Sequence, residues 1–117
     1  MSHSQAYQEF LLSLEKLNNE FLIGSEDLDL PSLKAEFQTI KLFFQSHIAT
    51  IQELDEAIAM QWQSLQTELY RELRLLETDI LFFASSRAAE TKLQRLRSLR
   101  ERIERMIKYC QAILKLL

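Results

Sequence analysis

The sequence predicts an all-α protein, an up-down antiparallel four-helix bundle whose two C-terminal helices are the longer pair. Three observations carry this. Apolar residues recur at alternating spacings of three and four along most of the chain, which stacks them on one stripe of a helix. Gly24 and Pro31 are the only glycine and the only proline, and both precede the last two-thirds of the chain. A β-rich domain needs far more of these residues for its turns. Finally, 117 residues with 47% hydrophobic and 26% charged composition match a single globular domain, spanning 1–117 and able to bury one core.

The first helix is predicted from about Ser4 to Ile23, on a stripe of Tyr7, Phe10, Leu14, Leu17 and Phe21. Gly24 follows its last turn, where a left-handed cap is often needed. After the acidic link "SEDLDL", Pro31 suits the first turn of a second helix, where its missing N–H costs nothing. That helix carries Leu33, Phe37, Ile40, Phe44, Ile48 and Ile51. A turn is placed near residues 50–55 because one continuous rod could not bury its own stripe, and Asp55 is a natural N-cap for the next helix. This third helix, Glu56 to Ala84, presents Ile58, Trp62, Leu65, Leu69, Leu73, Leu76, Ile80 and Phe83. With a turn at Ser85–Ser86, the last helix runs to about Leu116 on Leu93, Leu96, Leu99, Ile103, Met106, Ile107, Cys110 and Leu114, with Leu117 continuing the stripe. Short connections make successive helices antiparallel neighbours.

Composition argues against several functions. A lone cysteine, Cys110, excludes an intrachain disulfide, and its place on the last stripe makes it a buried, inert thiol. Only His3 and His47 occur, neither three residues after a glutamate, so the Glu-x-x-His pattern of a di-iron bundle is missing, as is a zinc-type cluster. No glycine-rich phosphate loop is possible with one glycine. No catalytic residue, cofactor or metal ligand is therefore assigned. The N-terminus lacks the basic and apolar regions of a secretory signal, and the longest apolar run, "ILFFA", is far short of a membrane span, so a cytoplasmic protein is expected.

The segment "RELRLLETDILFFASSR", Arg71 to Arg87, sets two acids inside an apolar run. Side chains two apart on a helix point about 200° apart, so Glu77 and Asp79 cannot share a metal or a proton. Glu77 is within reach of Arg74, three residues before it, and Asp79 is placed to meet the basic last helix. With Leu73, Leu76, Ile80 and Phe83 turned to the core, Leu75 and Phe82 point to the opposite side. A second buried seam, either a dimer contact or a groove for a partner, is one expectation for that pair. On the second helix, Leu42 and Phe43 also lie off the main stripe.

Charge is uneven. Residues 1–56 carry 10 acids and 3 bases, whereas residues 87–117 carry 3 acids and 9 bases. The bases of the last helix point to several faces and are interrupted by Glu90, Glu101 and Glu104. Together with a net charge of −3, this disfavours nucleic acid and favours charge pairing or an acidic protein partner. A protein-interaction module is the function that the residues support best.

"RLLETDILFF" followed by Arg87, with "YCQAIL" near the end, "YQEF" and "LEKL" in the first helix and "LFFQ" in the second, resembles the cyanobacterial heterocyst frequency control protein PatD family. The likeness extends over nearly the whole chain, although Ser85 stands where that pattern would place a glycine. The resemblance implies a small cytosolic regulator without enzymatic activity, one that limits heterocyst differentiation and binds the cell-division protein FtsZ to affect its polymerisation. The acidic body of FtsZ proteins then makes Arg97, Arg100 and Lys108 expected contact residues, in addition to Leu75 and Phe82. A homodimer is a further possible assembly, and no membrane association is expected.

Overall fold

The computed structural model describes residues 1–22, 28–52 and 54–117, and in them the predicted stripes become four helices. Helix α1 spans His3–Leu17, α2 Leu30–Phe43, α3 Glu56–Ser85 and α4 Ala89–Leu116. No strand occurs among the described residues. Each start has a local cause. Ser2 and Gln5 form a reciprocal capping box at α1. Asp29 accepts from the Ser32 N–H and hydroxyl ahead of α2, which hold its carboxyl below the ordinary value. Pro31 sits in the first turn of α2. Asp55 caps α3 by accepting from the Ala57 N–H, as predicted. The cap expected at Gly24 lies outside the described residues.

The first two helical runs extend about as far as the spacing predicts, but their last turns are not α-helical. Each passes into one π-helical turn, Asn18–Leu22 and Phe44–Ile48. The second closes with an Ala49 N–H to Phe44 carbonyl bond of 2.8 Å. A π turn inserts one extra residue and rotates everything after it. Leu22, five residues after Leu17, therefore takes the buried place predicted for Phe21, which is only half-buried. Asn18 is carried inward with it.

The helices pack in the cyclic order α1–α2–α3–α4, with the α3–α4 seam the most extensive and the α2–α3 seam the least. Cross-helix pairs show the antiparallel sense. Going up α3, Glu72 and Asp79 meet Arg102 and Phe82 meets Arg95; on α2 and its π turn, Phe44 meets Tyr70 and Lys41 meets Glu77. The buried side chains make one cluster, centred on Tyr7, Phe10, Phe44, Leu69, Leu76 and Met106.

The molecule measures 50 × 22 × 20 Å, and α3 alone is 30 residues long, about 45 Å. Between Leu81 and Ser98 no residue is fully buried, and Phe83 and Leu96 pack against the core only partly buried. Leu93, predicted on the core stripe, is accordingly 61% exposed. The turn itself uses serines: the Ser85 and Ser86 hydroxyls both donate to the Phe82 carbonyl. Ser86 has φ −74° and ψ 135°, ordinary extended backbone that does not require glycine.

Candidate protein-binding surface

The acids of the central segment are drawn to different neighbours. Arg102 of α4 donates to Asp79 at 2.5 Å and to Glu72 at 2.7 Å, and Arg105 approaches Glu72 at 3.5 Å. Glu72 is buried, the one acidic or basic side chain so placed among the described residues. Asp79 thus meets the basic last helix, as expected. Glu77 does not pair with Arg74; it turns toward α2 and accepts from Lys41 Nζ at 2.8 Å. Glu77, Arg74 and Lys41 all border the α2–α3 cleft, a shallow cavity of about 240 Å³, and it is Lys41 that the carboxylate meets there.

A second polar chain crosses the core. Trp62 Nε1 donates to the Tyr7 hydroxyl at 2.8 Å, Tyr7 donates to Gln66 Oε1, and Gln66 Nε2 donates to the Ile48 carbonyl at 3.2 Å. Burial pushes the Tyr7 phenol above its ordinary value, and the Trp62 bond only partly offsets this. Burial likewise pushes the Cys110 thiol up to about 12. A thiol so protonated is a poor nucleophile. His47 is exposed and packs its ring against Phe43, with centroids 4.8 Å apart. Among the described residues no group of three or more His, Cys, Asp or Glu could hold a metal ion.

With Glu72, Glu77 and Asp79 engaged by neighbouring helices, the outward face of α3 presents apolar and cationic groups. Leu75, Thr78, Leu81 and Phe82 are related by steps of three, four and seven, which makes them neighbours on one helix surface. Leu81 is 57% and Phe82 48% exposed, and Leu75 is half-buried. Three guanidinium groups edge this patch. Arg71 and Arg74 stand one turn before Leu75 and Thr78, and Arg95 of α4 lies 5.0 Å over the Phe82 ring. Arg74 lies 5.8 Å over Tyr70. Arg71 makes only a 3.4 Å exposed contact with Glu68, and neither Arg74 nor Arg95 pairs with a carboxylate among the described residues.

The structure keeps Leu75 and Phe82 together on this face and places the three basic residues named as further contacts elsewhere on α4. Arg97 and Lys108 are exposed, and Arg100 is half-buried, its Nε buried without a partner. Arg97 follows Arg95 by two residues, about 200° around α4, so it points away from Phe82. The cation that meets Phe82 is Arg95. Arg71, Arg74, Thr78, Leu81 and Arg95 are the members that sequence spacing did not group; a three-four walk outward from Leu75 would have found all but Arg95.

The fold defines an all-α helical bundle with a half-exposed apolar face on its longest hairpin. Compared with protein-family models, curated proteins and solved structures, the chain matches none. Among the described residues no helix is long and apolar enough to cross a membrane.

Proposed function

We propose that this chain is a small, non-enzymatic, protein-binding regulator of the PatD kind, acting in the cyanobacterial cytoplasm on FtsZ and thereby limiting heterocyst differentiation. The observation that carries the protein-binding part is the outward face of α3. Leu81 and Phe82 are about half exposed beside Leu75, on a helix whose central acids are engaged by its neighbours. Apolar side chains grouped on one exposed face mark interaction sites more often than scattered ones such as Leu12, Leu42 and Met60. The FtsZ part rests on the sequence resemblance, with Arg97, Arg100 and Lys108 as added contacts to an acidic partner.

The test is FtsZ polymerisation followed by sedimentation and light scattering. Equimolar addition of the chain should change the polymer fraction, and joint charge reversal of Arg97, Arg100 and Lys108 should weaken that effect. Unchanged FtsZ assembly in the presence of the folded chain would sink this reading. The half-exposed Phe82 also supports a second reading, self-association through Leu75 and Phe82. There the Phe82→Glu variant should have a lower mass by light scattering than the parent, and equal masses reject it.

A further inference from the structure

Taking the chain as a protein-binding module, we infer that the outward face of α3 receives an acidic amphipathic helix of a partner, laid along Leu75, Thr78, Leu81 and Phe82. Three observations fix the chemistry of the occupant.

Shape comes first. The patch follows the three-four-seven rhythm of α3 and is about 10 Å long from Leu75 to Phe82. A partner helix with apolar residues at the same rhythm matches it ridge to groove.

Charge comes second. Arg71, Arg74 and Arg95 border the patch, while Glu72 and Asp79 are held by Arg102 and Glu77 by Lys41. Neither Arg74, over Tyr70, nor Arg95, over Phe82, pairs with a carboxylate among the described residues, so both can meet a partner's carboxylates. Arginine presents a planar fork suited to such bidentate contacts.

Self-pairing is disfavoured for the same reason. A second copy would set guanidinium groups against guanidinium groups around the same apolar centre, a like-charge contact that selects against it. The surroundings add to the field: from Ser85 to Arg100 the chain has five bases, Arg87, Lys92, Arg95, Arg97 and Arg100, against Glu90 alone. A basic hairpin end on a chain of net charge −3 steers acidic segments to that end.

The experiment uses the full chain and a fluorescein-labelled synthetic helix of about 18 residues, long enough for five turns. The probe has leucine and phenylalanine at the three-four rhythm and glutamate on both flanks. Its control replaces every glutamate by glutamine. Anisotropy should give a dissociation constant on the order of 10 to 100 µM for the acidic helix, and at least tenfold weaker binding for the neutral one. The Arg74→Glu/Arg95→Glu variant should lose more than about tenfold in affinity, as should Phe82→Ser. The Lys34→Glu/Lys115→Glu variant makes the same change in net charge at exposed lysines of α2 and the far end of α4, off this face, and should lose less than about threefold. Circular dichroism verifies that each variant is folded.

No binding of the acidic helix up to about 1 mM overturns the inference. So do equal losses in the two charge-reversal variants, which would reduce the effect to net charge. Tighter binding of a DNA duplex or of phosphatidylserine vesicles, lost on Arg74→Glu/Arg95→Glu, would overturn it in favour of a phosphate ligand. The two readings fail separately. An FtsZ effect without helix binding removes the inference alone, and helix binding without an FtsZ effect removes the FtsZ assignment alone.

Discussion

Replacing Arg102 by methionine should be among the most damaging single changes on the α3–α4 seam. The guanidinium makes two charge-assisted bonds, to Asp79 at 2.5 Å and Glu72 at 2.7 Å, and the three side chains are only 17%, 16% and 9% exposed. Methionine keeps much of the volume but leaves two carboxylates without their shared cation. Arg105 offers little relief, because its contact with Glu72 is 3.5 Å and its side chain is 46% exposed. Breaking a buried pair from one side costs about 3–5 kcal/mol. For a chain of this size, that lowers Tm by about 10–20 °C. Urea and thermal unfolding followed by far-UV circular dichroism measure the loss. The companion is Glu72→Met/Asp79→Leu/Arg102→Met, in which none of the three charges is left unpaired. It should recover most of the lost stability, since an apolar replacement of a whole buried network is often neutral or better. A cost below about 1 kcal/mol for Arg102→Met, or a triple variant as unstable as the single one, would refute this account of the seam.

Three further outcomes rest on the same geometry. Stability should fall as pH rises above about 9: the unfolded chain then releases thiol and phenol protons that buried Cys110 and Tyr7 retain, so the folded state binds more protons. With Cys110 pushed up to about 12, its share reaches about 4 kcal/mol near pH 12; Cys110→Ala should flatten the decline in urea midpoint, and a parent midpoint constant from about pH 8 to 11 contradicts the burial argument. Tyr7→Phe should cost about 1–3 kcal/mol, because Trp62 Nε1 and Gln66 Oε1 both lose their partner; a neutral result in urea unfolding would mean that this polar chain contributes nothing net. Asp55→Ala removes the N-cap of the longest helix and should cost about 1 kcal/mol, read in the same assay, with no change rejecting the cap as a stabilising feature.

Much of the fold is legible in the sequence because stripe periodicity is a local property. Spacing alone assigns Leu69, Leu73, Leu76 and Ile80 to the core, and all are buried. The features that escape it depend on distant chain or on local backbone irregularity. The π turn at Asn18–Leu22 has no signature in a three-four pattern, so spacing puts Phe21 where Leu22 sits. Leu93 fits the stripe of α4 but is exposed, and Leu96, one turn further on, is where that stripe begins to pack on the core. Glu72 looks like any carboxylate in "RELRLL"; its burial becomes tolerable only with Arg102 arriving from 30 residues away. The candidate surface is half visible for the same reason. Leu75 and Phe82 share a seven-residue period, whereas the identity of the base over Phe82 depends on how α3 and α4 align.

That alignment has a consequence at the surface. Arg102 spans Glu72 and Asp79, seven residues and two turns apart, and so acts as a gauge block between the helices. A slide of α4 by one turn, about 5.4 Å, would break both grips at once. It would also bring Thr91 or Leu99 over Phe82 in place of Arg95. The electrostatic character of the outward face is therefore inherited from a buried contact, and a substitution in the interior could rewrite what the exterior presents without altering one exposed residue.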